Sequence, residues 1–258
     1  MAIIRDRSLL PDWNDIPPEM IRNCIQEHLK SVPRLDKLES YYLGKHPILA
    51  RNMDAKGLPN NRLVANHAKY ITDIAVGYVM GDPVKYEGEG IDDILEVFKR
   101  GDVVSHDAEL AKDLSIFGVG RELYYMTSDD NPYPRPALID PRQIFLVVDD
   151  TIEHLPLFGC HFYEKRDISN SVVGYYVNVY TEREVIHYLV KDLGSQTYEE
   201  LGREPHYFGG VPIVEFWNNE EQQGDFEQQI SLIDAYNVLM SDRVNDKEQL
   251  VDAILKLK

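Results

Sequence analysis

The stretch Pro59–Pro83, PNNRLVANHAKYITDIAVGYVMGDP, decides how the rest of the chain is read. It opens with Asn60-Asn61, a turn signal. Asn66 suits a helix N-cap, because its side-chain oxygen can accept an orphan backbone N–H of the first turn. Ile71, Ile74, Ala75, Tyr78 and Val79 recur at three- and four-residue spacing, which is one apolar face of a helix over 66–80. Gly81 is expected to end that helix in the left-handed conformation. Asp82-Pro83 blocks continuation and leads into an extended PVKYEG. Pattern alone predicts a core helix followed by a strand. Ile71, Ile74 and Tyr78 are expected to be buried. Ile74→Asp is expected to prevent folding, since an unpaired buried carboxylate is strongly unfavourable.

The wording N-N-R-L-V-x-N-x-A-K-Y-I-x-D-x-x-V-G-Y-x-x-G-x-P resembles the core signature of the portal proteins of tailed bacteriophages, in the family named for the portal protein of phage SPP1. The positions that carry it are Asn60, Asn61, Arg62, Leu63, Val64, Asn66, Ala68, Lys69, Tyr70, Ile71, Asp73, Val76, Gly77, Tyr78, Gly81 and Pro83. Further segments resemble the family in the same order. They are Y-Y-x-G-x-H at Tyr41–His46, A-K-D-x-S-I-F-G at Ala111–Gly118, Asp140–Phe145, V-P-I-V-E-F at Val211–Phe216, and Ile233–Asp246.

Working outward, residues 1–16 read as an irregular N-terminal arm. Pro17-Pro18-Glu19 suits the first turn of a helix with Met20, Ile21, Cys24, Ile25 and Leu29 as its stripe. A second short helix spans Ser31–Gly44, anchored by Leu35, Leu38, Tyr41 and Tyr42. The loop 45–59, with Gly57 in it, is expected to be exposed. Ile91, Ile94, Leu95 and Phe98 predict a helix over 90–100, broken by Gly101-Asp102. Another, over 103–118, carries Val103, Leu110, Ala111, Leu114 and Phe117 and stops at Gly118. From 119 to 217 the period changes to short aromatic and β-branched runs between turn residues. This predicts an antiparallel meander of about six or seven strands.

Asp225–Lys258 contains neither Gly nor Pro. Phe226, Ile230, Ile233, Asn237 and Met240 share one helical face, with Leu232, Tyr236 and Leu239 beside it. Leu250, Val251, Ile254 and Leu255 form a second set, and a bend is expected near Ser241-Asp242. The fold class is therefore α+β. Its parts are the arm 1–16, a domain 17–224 (helical over 17–118, β-rich over 119–217), which the resemblance makes the wing, and a long helix 225–258.

The chain has 258 residues, 27 basic against 44 acidic, and a formal net charge of −17. Residues 71–258 hold 16 basic and 36 acidic side chains. That balance excludes a protein that wraps DNA in a basic groove. Arg62 and Lys69 are expected to pair with carboxylates of the same chain. Cys24 and Cys160 lie far apart and read as buried reduced thiols. MAIIRDRSLLPDW lacks a signal-peptide core. No apolar run approaches the ~20 residues of a membrane helix, so assembly is expected in cytoplasm, away from membrane.

Candidates for catalysis are sparse. His154 and His161, with Glu153 and Glu164 nearby, lack a defined third and fourth metal ligand. Asp129-Asp130 and Asp149-Asp150 sit in turn settings. Gly118-Val-Gly120 follows a helix and lacks the third glycine of a dinucleotide loop, and no GxxxxGK[ST] occurs. Two rivals remain: a metal-dependent hydrolase around His154 and His161, tested by metal analysis, and a peptide-binding interaction domain, tested by size.

The resemblance implies a portal fold in which residues 225–258 begin the stem. It implies a ring, probably dodecameric in the family's usual form, at one capsid vertex of a phage or prophage virion, assembled in the host cytoplasm. It implies no enzymatic activity, no cofactor and no metal. Its partners are further copies of itself, the terminase large subunit, the scaffold protein, the major capsid protein and the head–tail connector. Double-stranded DNA passes through without being tightly bound. Asn60, Asn61, Arg62, Asn66, Lys69, Tyr70, Asp73, Gly77, Tyr78, Gly81 and Pro83 are then structural signature positions. Phe226, Ile230, Ile233, Tyr236, Leu239, Leu250, Val251 and Ile254 are candidate subunit-contact or stem-helix residues. Family members continue through a clip, a returning stem helix, a tunnel loop and a crown. The chain is therefore expected to be a fragment that does not close a ring alone.

Overall fold

The structure is a computed structural model that describes residues 2–52, 59–128 and 130–254, with residues 251–254 described by backbone alone. Gly57, Asp129, Leu255 and the side chains of Val251 and Ile254 lie outside the described residues.

The arm is more ordered than expected. Residues Ile3–Arg5 form β1, a strand paired in parallel with Ile144–Asp149, and a short 3-10 turn follows at Arg7–Leu9. Ile3 and Ile16 are buried, so apolar burial holds the arm on the sheet. Helices α1 (Pro18–Leu29) and α2 (Val32–Tyr42) carry Pro near their starts, where the missing N–H costs nothing. The loop after α2 is not simply exposed. His46 and Ile48 are buried there, in a 3-10 turn at Pro47–Ala50.

Helix α3 (His67–Val79) begins as expected: Asn66 Oδ1 accepts the Lys69 N–H at 3.1 Å. Its end differs. Gly81 does not adopt the left-handed conformation. It is needed for room, because a Cβ there would lie 2.6 Å from the Gly77 carbonyl oxygen. Pro83 is followed by irregular chain with no strand at 83–88. Helices α4 (Asp92–Arg100) and α5 (Val103–Phe117) come next. Gly118 does take the left-handed conformation, and a Cβ on it would sit 2.2 Å from the Gln222 carbonyl oxygen.

Among the described residues eight strands follow, in two sheets. Strands β2 (Val119–Met126), β3 (Pro134–Leu138) and β9 (Ile213–Trp217) form an antiparallel sheet of order β3-β2-β9. The larger sheet has the order β1-β4-β5-β6-β7-β8, with β4 (Ile144–Asp149), β5 (Pro156–Arg166), β6 (Val172–Tyr180), β7 (Glu184–Val190) and β8 (Glu199–Pro205) as an antiparallel meander. Every β4 residue is buried, because both of its faces are covered. Phe145 and Val147 join a core with Ile21, Cys24, Ile25, Phe158, Cys160 and Val177 under α1. Ile144, Leu146 and Val148 pack with Leu123 and Ile213 between the two sheets. Both cysteines are buried free thiols, as the sequence suggested.

Two of the sequence motifs, Asp140–Phe145 and Val211–Phe216, meet at one buried ion pair. Arg121 Nε donates to Glu215 Oε2 at 2.7 Å, and its Nη1 donates to the carbonyls of Pro141 and Ile144 at 2.8 and 2.9 Å. The guanidinium thereby joins β2 to β9 and to the turn before β4. Helix α6 (Ile230–Ile254) then runs unbroken through Ser241-Asp242. Phe226 and Ile233 insert into a core with Leu35, Leu38, Tyr41, Ala68, Ile116 and Phe117.

Candidate assembly site

Residues 60–66 form an extended strap across α6. Asn237, Ser241 and Asn245 stand four residues apart on that helix and are all buried. Asn237 Oδ1 accepts the Ala65 N–H at 2.8 Å, and Ser241 Oγ accepts the Leu63 N–H at 3.0 Å. Asn245 Oδ1 accepts both the Asn61 N–H and the Asn61 side-chain amide at 2.9 Å. The match has a geometric cause. Four helical residues rise about 6.0 Å, and two extended residues advance about 6.6 Å. Alternate strap N–H groups therefore meet successive helix turns.

The other side of the strap is tied as well. Arg51 Nη2 donates to the Asn61 carbonyl at 2.7 Å while its Nη1 pairs with Asp242 at 2.6 Å. Arg62 does not find the expected carboxylate; its Nη1 donates to the Leu49 carbonyl at 3.0 Å. Asn60 Nδ2 donates to the Arg51 carbonyl at 3.3 Å.

The Tyr41–His46 motif closes this arrangement from α2. Asn237 Nδ2 lies 2.8 Å from His46 Nδ1, and His46 Nε2 lies 3.1 Å from the Tyr41 carbonyl. An amide can only donate to that ring nitrogen, so His46 is neutral with its proton on Nε2, which donates to the carbonyl. Tyr41 Oη donates to Asp234 on α6 at 2.7 Å. Burial and that carboxylate raise the phenol's pKa. Gly44 takes positive φ, and a Cβ on it would lie 3.2 Å from Asn66 Nδ2, the group that donates to the Tyr42 carbonyl at 2.9 Å.

Helix α3 lies on α5 by its small residues. Ala68 and Thr72 are fully buried, and Ser115 Oγ donates to Thr72 Oγ1 at 3.2 Å. The expected burial is thus overturned for the larger side chains. Ile71 is partly covered, whereas Ile74 is 53% exposed and Tyr78 89% exposed. Tyr70 and Val79 are exposed beside them. The helix has two apolar faces, and the smaller one permits close approach to α5. Lys69 makes the expected ion pair, with Asp73 at 2.7 Å one turn on. Gly77 and Pro83 are exposed.

Helix α6 divides similarly, starting at Ile230 and not at 225, after a 3-10 turn at Glu227–Gln229. Phe226, before that turn, and Ile233 are buried and Ile230 is partly covered, whereas Leu232, Tyr236, Leu239 and Leu250 are exposed. The His67 ring meets Tyr236 edge-on at 5.1 Å, so the uncovered stripes of α3 and α6 adjoin. Sequence reading singled out Asn60, Asn61 and Asn66 but missed the roles of Asn237, Ser241 and Asn245. Their four-residue polar spacing along an otherwise apolar face was the available signal.

The hydrolase alternative gains no site. Among the described residues no group of three His, Cys, Asp or Glu side chains could hold a metal ion. His161 lies within β5, where burial lowers its pKa to about 4. His154 sits in the β4–β5 turn, with Nδ1 3.2 Å from the Asp149 carbonyl. No described helix is long and apolar enough to cross a membrane.

Comparison with known proteins gives one family and two relatives. The family described as phage portal protein, SPP1 Gp6-like, matches residues 21–258. A portal protein of Clostridium phage phiCD119 is 25% identical over 93% of this chain and 58% of its own length. The portal protein of Bacillus phage SPP1 is 26% identical over 90% of this chain and 50% of its own length. The chain therefore spans about half the length of the curated relatives it matches.

Proposed function

The chain belongs to the SPP1 Gp6-like family of phage portal proteins, and we propose that it is the wing and first stem portion of a portal subunit. In this reading the protein forms a ring at one capsid vertex of a tailed phage or prophage. The ring carries DNA inward during packaging and outward during ejection. It is a structural component of the virion, without enzymatic activity. Its partners are its own copies, usually twelve in the family, together with the terminase large subunit, scaffold protein, major capsid protein and head–tail connector. Residues 17–224 serve as the wing and residues from 225 onward enter the stem.

The observation that carries this reading is the strap-locked α6 with two adjoining uncovered apolar stripes. A ring subunit presents one surface to one neighbour and a complementary surface to the next. Stripes formed by Tyr70, Ile74 and Tyr78 on α3, and by Leu232, Tyr236 and Leu239 on α6, are suited to such contacts. Gly77 supports this too. No atom lies within 4 Å of a Cβ built there, so its lack of a side chain serves no contact within this chain and leaves room for another chain's approach. The net charge of −17 suits a passage, since like charge disfavours adhesion of DNA phosphate.

Negative-stain imaging of the whole portal protein tests the reading. Closed rings with a central opening are expected, and Leu239→Asp should abolish them while the subunit stays folded. A monodisperse monomer without rings, under assembly conditions, would overturn it.

A further inference from the structure

A cavity of about 430 Å³ lies away from the strap and α6, between α4, α5 and the three-stranded sheet. Ile94, Val97 and Phe98 of α4 face it, opposite Leu110 of α5 and Phe216 of β9. Helix α4 has a well-formed apolar stripe, yet none of its residues is fully buried. The stripe borders open space where a core would normally be.

The chemistry of the walls is one-sided. Asp93, Asp107 and Glu122 line the cavity, together with His106, and among the described residues no Lys or Arg does. Glu122 is only 4% exposed and is held by His106 Nε2 at 2.7 Å and Tyr124 Oη at 3.1 Å. Even with His106 protonated, negative charge remains in excess. Aromatic faces accompany the carboxylates. Tyr86 and Phe98 meet at 5.0 Å between ring centroids, and Tyr124 and Phe216 complete the lining. Carboxylates beside aromatic rings, in a partly desolvated cavity, recognise a cation on an apolar stem. Burial raises the Asp107 pKa, so a cation seated beside it would relieve the carboxylate's desolvation.

The apolar lining is partly exposed. Tyr86 and Ile94 line the cavity and are exposed, and so are Val84 and Val104, which lie two residues before Tyr86 and one after the lining Val103 in the chain. That footprint exceeds a small amine. At the β3 edge, Pro134 and Pro136 remove two backbone donors, which disfavours an added strand. A guest would therefore engage through side chains.

We infer that this cavity is a docking pocket for an arginine or lysine side chain, presented with a neighbouring apolar residue by a segment of another protein. The pocket stands apart from the uncovered α3 and α6 stripes.

The test uses the 258-residue chain, methyl-labelled for NMR, titrated with Ac-Leu-Arg-Phe-NH₂. The comparison peptide carries citrulline, the neutral isostere of arginine. The arginine peptide should shift the Ile94, Val97 and Leu110 methyls and bind at least tenfold more tightly than the citrulline peptide. Asp107→Asn should remove most of that difference and leave the melting curve intact. Val97→Phe should fill the cavity and abolish binding of both peptides. Phenylbutylammonium alone should bind more weakly than the arginine peptide. The proposal fails if the two peptides bind equally, if the shifts map elsewhere, if Asp107→Asn has no effect, or if the free amine matches the peptide. It also fails if ring assembly of the portal protein by itself blocks the pocket, since a neighbouring copy would then be the occupant.

Discussion

A single oxygen of Asn245, on the long helix, accepts both the backbone N–H and the side-chain amide of Asn61 at 2.9 Å, across 184 residues of chain. With Ser241 and Asn237 it ties the helix to an extended segment that has no sheet partner of its own. The strap thus has its N–H groups satisfied by side chains where a sheet would use backbone carbonyls. The arrangement ties α6 to residues 61–65 at three successive turns.

Asn245→Ala should leave the Asn61 N–H without its partner. A loss of about 1 kcal/mol is expected, the usual net worth of a hydrogen bond at a partly buried donor. Asn237→Leu should cost at least as much, since it strips partners from both Ala65 and His46. Urea unfolding of each variant measures this. A change below about 0.5 kcal/mol in both would show that the ladder does not contribute to stability.

Ile74→Asp should fold. The side chain is 53% exposed, so its carboxylate can stay hydrated and the melting transition should remain cooperative. Ala68→Leu should be the damaging change on α3, because Ala68 is fully buried against α2 and α5. Overpacking there should cost about 1–3 kcal/mol. Circular dichroism melts on the two variants decide it, and the reverse ranking would show that the packing face has been misassigned.

Acid should weaken the fold through histidines buried in neutral form. Burial lowers the His28 and His161 pKa values to about 4, against the ordinary 6.5. Below pH 6.5 the unfolded chain binds protons that the folded chain refuses, so stability falls as pH drops from 6.5 towards 4. Asp113 acts in the opposite sense. Burial and Asp140 raise its pKa to about 7 from 3.8, so it favours the fold at low pH and loses that contribution as pH rises through this window. Asp113→Asn should therefore steepen the acid-side loss. Denaturant midpoints measured between about pH 4.5 and 6.5 give the slope. An unchanged slope would contradict the Asp113 assignment.

Duplex DNA should not bind this chain tightly near physiological salt, where screening acts over ~8 Å. The net charge of −17 opposes the phosphate contacts that dominate such binding. Fluorescence polarisation with a labelled duplex checks it, and a submicromolar, salt-insensitive complex would refute it.

The helix and sheet regions were legible in the sequence because periodicity and breakers are local. Asn66 as a cap, Gly118 as a stop and the change of period after it all act through a few neighbouring bonds. The signature also identified the family. Local pattern could not decide which apolar face of α3 would be buried. Ile71, Ile74 and Tyr78 look more hydrophobic than Ala68 and Thr72, but the smaller side chains allow α5 to approach; Ile71 is partly covered, and Ile74 and Tyr78 are left exposed. Nor could it order the arm, since β1 exists only through its parallel pairing with β4. The ladder of Asn237, Ser241 and Asn245 reads in sequence as interrupted apolar spacing on a helix. Only the tertiary fold, by laying Asn61, Leu63 and Ala65 across it, converts those polar side chains into the partners of part-buried backbone groups that have no sheet partner.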